Sequence, residues 1–178
     1  MTAFDLDNPD DAEAYRLVAG GPVTLFYRQE VLGRSTAWLS AHGYDVVQID
    51  CREATCKLDL LDQLAIALRF PAYFGRNLDA LNDCLRDVAD HSYGFALDAV
   101  GSVLVLLHYD AFTRCEPHQA WVVLDIVADR WREAALTGHR MMCLVQSDDP
   151  GLSFRPVGAT PVMWNGEEWL TARRQDDH

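Results

Sequence analysis

Phe70–Leu85 reads FPAYFGRNLDALNDCL, and the remainder of the chain falls into place around it. Pro71 restricts the residue before it and Gly75 permits a tight or left-handed turn, so the segment opens as a loop. Asn77 has the side chain of a helix N-cap. Leu78, Leu81, Leu85 and Val88 then recur at offsets of three, four and three, which marks one apolar helix face. Asp79 and Asp83 ride the other face, stacked one turn apart. Asp79 also falls in the first turn, where unpaired N–H groups favour negative charge. Two readings stand at this point. The acids are either a solvated helix face behind an ordinary loop, or a preorganised anionic surface, flanked by Tyr73 and Phe74, that meets a cationic site on another molecule.

Taken as one segment, Tyr73-Phe74, Gly75, Asn77, Leu78-Asp79-Ala80-Leu81 and Asp83-Cys84-Leu85, in unbroken order, resemble the signature of the barstar family, intracellular inhibitors of a secreted bacterial ribonuclease. The resemblance spans roughly Tyr44–Gln146. It implies an α/β fold of two or three layers, a small parallel sheet packed by helices. It also implies a protein without catalysis or cofactor. Such a protein plugs the cleft of a basic, guanyl-specific ribonuclease one to one, with its carboxylates where substrate phosphates would lie. On this pattern Asp83 is aimed most directly at the cleft and Asp79 is its neighbour. Tyr73 packs against a histidine or loop of the enzyme, while Gly75 and Asn77 shape the binding loop. Glu133, in Trp131-Arg132-Glu133-Ala134, matches a short family segment whose glutamate contributes to binding; a solvated glutamate is the alternative.

Two positions depart from the pattern. Asn82 stands where the family often has a tryptophan. Arg76 places a base between Gly75 and Asn77, where it either repels a cationic partner or pairs with Asp79 or with an acid of the partner. Both departures point to a partner related to the usual ribonuclease but distinct from it. Two other functions stay open. One keeps the fold as an immunity or scaffold protein for a different toxin nuclease or a non-nuclease partner. The other is a small enzyme using Asp79 and Asp83 as acid and base.

Outward from this segment, Leu58, Leu61, Leu64, Ala65 and Leu68 predict a helix that ends before Pro71. Upstream, Val23–Tyr27 and Tyr44–Ile49 read as strands joined by a helix over Gln29–His42, a unit that implies parallel pairing. Asp11–Val18 predicts a short helix and Met1–Pro9 a loose, acidic start. Downstream, Ala89–Gly101 is a long connection and Val103–Leu107 a near-continuous apolar strand for a covered sheet. Phe112 and Cys115 belong to a short helix, His118–Leu136 is the last long helix, and Met141–Val145 is a further strand. Asp148-Asp149-Pro150-Gly151 is a turn. Asn165-Gly166, between Val162-Met163-Trp164 and Glu167-Glu168-Trp169-Leu170, predicts a β-hairpin pinned to the body by Trp164 and Trp169. Thr171–His178 reads as frayed. The expected organisation is one domain over 1–178: a core at 44–146, a strand-helix extension at 1–43 that lengthens the same sheet, and a hairpin extension at 147–178.

Composition narrows the function classes. The chain of 178 residues holds 27 acidic and 15 basic residues, a net charge of −12, with 49% apolar content. An acidic protein is poorly suited to a phosphate backbone and well suited to a basic protein. Asp5, Asp7, Asp10, Asp11 and Glu13 fill the N-terminal stretch without a base, the reverse of a secretory leader. No apolar run is long enough to span a bilayer. Five cysteines in no ligand spacing are expected as free thiols in a reducing cytoplasm. No histidine stands in a metal-ligating motif, and no serine stands at a nucleophile elbow. No glycine fingerprint follows Val23–Tyr27. His108, after the apolar strand, sits where sites often form, though a structural role is the stronger reading.

Overall fold

The computed structural model describes Asp5 and residues 7–175. Five strands form one sheet: β1 (Val23–Phe26), β2 (Tyr44–Asp50), β3 (Gly101–Leu107), β4 (Met141–Gln146) and β5 (Met163–Trp164). Their order is β2-β3-β4-β1-β5, and every pairing is parallel. Helices α1 (Pro9–Val18), α2 (Gln29–Ala41), α3 (Lys57–Ala67), α4 (Leu78–Ala89), α5 (Tyr109–Cys115), α6 (Pro117–Leu136) and α7 (Thr171–Gln175), with a 3-10 turn at Cys51–Glu53, complete the described elements.

Three layers follow from the two-residue period of the strands. Val103 and Val105 of β3, with Met142 and Leu144 of β4, point to one face and pack under α1 and α2 through Ala14, Val31, Leu32 and Leu39. Leu104, Leu106, Cys143 and Val145 point to the other and meet Leu61, Leu64, Leu81, Leu85, Val127 and Trp131 from α3, α4 and α6. Both faces of β3 and β4 are covered, which is why Val103–Leu107 and Met141–Val145 are unbroken apolar runs.

The strand–helix–strand unit is parallel, as its sequence predicts, but β1 and β2 are not neighbours. All four residues of β1 are buried, and β1 lies between β4 and β5. Helix α2 therefore crosses the sheet over β4 and β3 before β2 begins. It stops at Gly43, whose φ of +84° is the left-handed geometry of a helix end. At the same end of the sheet Gly101 pairs with Tyr44, and a Cβ on Gly101 would lie 2.4 Å from the Tyr44 ring and 2.7 Å from the Arg140 carbonyl, so only glycine lets β3 start there.

The C-terminal segment corrects the hairpin expectation. Met163 and Trp164 pair with Thr24 and Leu25 in parallel, not with the residues after Gly166. Asn165 instead opens a turn: its side chain accepts from the Glu167 N–H at 3.0 Å and its carbonyl from the Glu168 N–H at 3.0 Å. The turn drives Glu168, fully buried, against the end of β1. There its carboxylate accepts from the N–H groups of Tyr27 and Arg28, both at 2.9 Å, from Arg28 Nε at 3.0 Å and from Asn165 Nδ2 at 2.5 Å. A second strand would leave those two backbone donors without this acceptor. Burial pushes the Glu168 carboxyl up, but these donors outweigh it and hold it below the usual glutamate value.

Buried Arg174 closes the segment, donating to the carbonyls of Pro150, Glu168 and Trp169 and lying 4.4 Å from the Trp164 ring centre. Trp164 thus pins the tail as expected, whereas Trp169 is 61% exposed. Thr171–Gln175, expected to fray, is helical; 176–178 and most of the first residues lie outside the described part.

Candidate functional site

The Phe70–Leu85 segment is a loop held at both ends. Behind Ala67 the chain turns back, with the Phe70 N–H donating to the Ala65 carbonyl at 2.8 Å. Pro71 then accepts from the Phe74 N–H at 2.9 Å, and that turn sends two adjacent aromatics in opposite directions. Phe74 packs inward, edge-on to Phe70 with ring centres 5.0 Å apart. Tyr73 is 80% exposed. Phe74, grouped with Tyr73 in the sequence reading, is therefore the anchor of the loop. Phe70 also meets Tyr93, whose hydroxyl donates to the Cys84 carbonyl of α4 at 3.1 Å.

Asn77 caps α4: its Oδ1 accepts from the Ala80 N–H at 2.9 Å and its Nδ2 donates to the Gly75 carbonyl at 3.2 Å. The left-handed residue in the loop is Arg76, with φ of +51°, not Gly75. Gly75 leaves room for the Asn77 amide instead, since a Cβ there would lie 3.1 Å from Asn77 Nδ2. Arg76 pairs with Asp62 of α3 through two hydrogen bonds, Nε to Oδ1 at 2.6 Å and Nη2 to Oδ2 at 2.5 Å. Of the alternatives that the sequence left open, pairing with Asp79 is replaced in the free chain by pairing with Asp62. Asp62 has no signal in the local sequence, because its partner lies on the far side of the loop.

Helix α4 buries Leu81, Cys84, Leu85, Val88 and Ala89 and turns Asp79 and Asp83 to solvent. Asp83 is 69% exposed and stands 3.4 Å from Arg86, one turn on. Asn82 is half-buried at the edge of this face. Glu133 lies on α6, the helix packed against α4, and pairs at 2.9 Å with Arg130. The segment from Tyr73 to Asp83 thus presents an exposed aromatic ring and two exposed carboxylates on a scaffold whose other side is core. Side chains held this way lose little freedom on docking.

A second polar cluster forms where the strands end. His108, left-handed at φ +52° and buried, follows β3. Its Nδ1 meets Asp148 at 2.6 Å, its Nε2 meets the Gln29 amide at 3.3 Å, and its N–H donates to Gln146 Oε1 at 2.8 Å. With both ring nitrogens engaged inside the chain, His108 ties the ends of β3 and β4 to the start of α2. That is the structural role. Between β1 and α2 the chain runs through Tyr27-Arg28 without a glycine-rich turn.

Among the described residues no group of three or more His, Cys, Asp or Glu is placed to hold a metal ion. The five cysteines are free. Burial pushes the Cys51 thiol up to about 12, far from a reactive thiolate. No helix among the described residues is long and apolar enough to cross a membrane.

Comparison with known proteins places this geometry. Among solved structures, the Walker-type ATPase paby2304 of Pyrococcus abyssi is similar at 13% identity and a TM-score of 0.43, over 82% of this chain and 45% of that one. The chain spans less than half of that protein, and so loose a likeness says nothing about activity. No curated protein matches the chain. The family model described as Barstar (barnase inhibitor) matches residues 44–146, more than half of the chain, from the start of β2 through the Tyr73–Asp83 face to the end of β4. The chain belongs to the Barstar family.

Proposed function

We propose that this protein inhibits a basic ribonuclease of the secreted, guanyl-specific class by docking the Tyr73–Asp83 face into its active-site cleft, one to one, in the cytoplasm of the cell that makes the enzyme. The observation that carries this reading is the pair of exposed carboxylates, Asp79 and Asp83, on successive turns of a helix whose opposite face is buried. A cleft that binds RNA phosphates is lined with cations. Two acids at fixed spacing satisfy those cations and the body of the inhibitor closes the cleft. Asp83 lies at the centre of the contact with Asp79 beside it. Tyr73 supplies a rigid apolar contact, Gly75 and Asn77 hold the loop, and Glu133 extends the acidic surface from α6. The net charge of −12 draws a basic partner in from a distance, so association slows as salt rises.

Asn82 and Arg76 favour a partner whose cleft differs from the usual one: Asn82 offers no large apolar contact, and Arg76, paired with Asp62, places a guanidinium–carboxylate pair beside the acids. Within the same mechanism, an immunity role against a different toxin nuclease is the variant these residues support.

The test is capture from source cells with wild-type bait and with an Asp79→Asn/Asp83→Asn bait, followed by RNA cleavage assays on what is bound. Wild type is expected to retain a ribonuclease and to silence it at stoichiometric amounts, and the double variant is expected to lose it. Retention of the same nuclease by both baits would falsify the proposal.

A further inference from the structure

We propose that Asp62, on α3 and outside the Tyr73–Asp83 segment, is a positioning residue of the binding face: its ion pair with Arg76 holds the loop in place and removes a positive charge from the path of a cationic partner. This rests on the ribonuclease-inhibitor reading above.

The loop between Phe74 and Asn77 has an anchor on each side, the inward Phe74 ring and the Asn77 cap. Between them, Gly75 and Arg76 are exposed. Arg76 adopts φ +51°, a backbone state that residues with a Cβ enter at a cost. Something must hold it there. The guanidinium–carboxylate contact is two parallel bonds, at 2.6 and 2.5 Å, which fix the plane of the guanidinium as well as its distance. The loop is thereby tied to α3, an element whose Leu60, Leu61 and Leu64 are fully buried. A point charge such as lysine would not fix the plane in this way.

The same contact settles the electrostatics. Arg76 lies between Tyr73 and Asp79, so a loose guanidinium there would stand in front of the acids and oppose an incoming cationic cleft. Paired with Asp62, its field is that of a short dipole. The face then offers a partner arriving from solvent two exposed carboxylates, Asp79 and Asp83, the latter in only an exposed 3.4 Å pair with Arg86. The pair is about half exposed, with side-chain exposures of 53% for Arg76 and 44% for Asp62, so it adds little to global stability. Its effect is on the loop and on association.

The experiment uses the full chain with Asp62→Asn, Arg76→Gln, the Asp62→Asn/Arg76→Gln double variant, and Asp98→Asn as a charge-matched control on an exposed loop. Barnase is the binding probe. Two readouts are taken: exchange of the Arg76 Nε proton and of the Phe74–Asn77 amides by NMR in the free chain, and the association rate at low and high salt. For Asp62→Asn, both sets of protons are expected to exchange faster and association to slow roughly three- to tenfold at low salt, the gap closing at high salt. The double variant is expected to regain the wild-type rate, and Asp98→Asn to change it by less than about twofold.

Unchanged exchange in Asp62→Asn, equal slowing by Asp98→Asn, or no recovery in the double variant would each overturn the proposal. If wild type binds neither barnase nor a nuclease captured from source cells, or if Asp79→Asn/Asp83→Asn leaves binding intact, the inhibitor reading fails. The loop-holding role of Asp62 is then decided by the exchange rates alone.

Discussion

Asp83 stands 69% exposed with Arg86 3.4 Å away on its own helix. Such an exposed pair is worth well under about 1 kcal/mol, so Asp83 is free to exchange Arg86 for a cation of the partner. Once buried in a cleft, the same carboxylate is paired and desolvated. Asp83→Ala is therefore expected to weaken nuclease binding by roughly 2–5 kcal/mol, more than any other single truncation. A titration showing a loss below about 1 kcal/mol counts against its central place. Arg86→Ala is the complementary case. It removes the internal competitor and one positive charge, and a gain in affinity of a few-fold is expected, on the scale of one exposed ion pair. Weaker binding by this variant in the same titration would mean that Arg86 itself touches the partner. Phe74 and Arg76 show the limit of reading single residues: their types were plain, but the direction each side chain takes depends on Phe70 and Asp62.

Helix α4 is legible because its signals are local. The apolar stripe has the helical period, and Asn77 satisfies an N–H three residues on. Removing that cap by Asn77→Ala is expected to lower stability by about 1 kcal/mol, read from urea unfolding. It also frees the Gly75 carbonyl from its side-chain bond, so exchange in the loop should quicken with it. Asn165-Gly166 is the opposite case. Its local preference is for a two-residue hairpin, yet the segment folds as a parallel β5 followed by a turn. The preference is overridden because Glu168 gains four donors, two of them backbone groups from the junction of β1 and α2.

At the scale of the whole molecule, Glu168 joins the C-terminal segment to the sheet. Glu168→Ala leaves the Tyr27 and Arg28 N–H groups unpaired and is expected to cost on the order of 3 kcal/mol in thermal or urea unfolding. Because the folded-state carboxyl is held below its unfolded value, its stabilisation is present above about pH 4.3 and is lost as pH falls through the lower folded value. Wild type should thus lose stability on acidification more steeply than Glu168→Gln; parallel pH profiles of the two unfolding midpoints would contradict this. Residue order alone sufficed for the periods, caps and apolar runs that name α2, α3, α4, α6, β3 and β4, and for the acids and tyrosine of the candidate face. Each depends on side chains within a few positions of one another. The pairing of β1 with β4, the inward turn of Phe74, the grip of Asp62 on Arg76 and the fate of Asn165-Gly166 were settled only in three dimensions. In each of these, groups distant along the chain compete for the same buried volume or the same hydrogen bond, and the winner follows from packing.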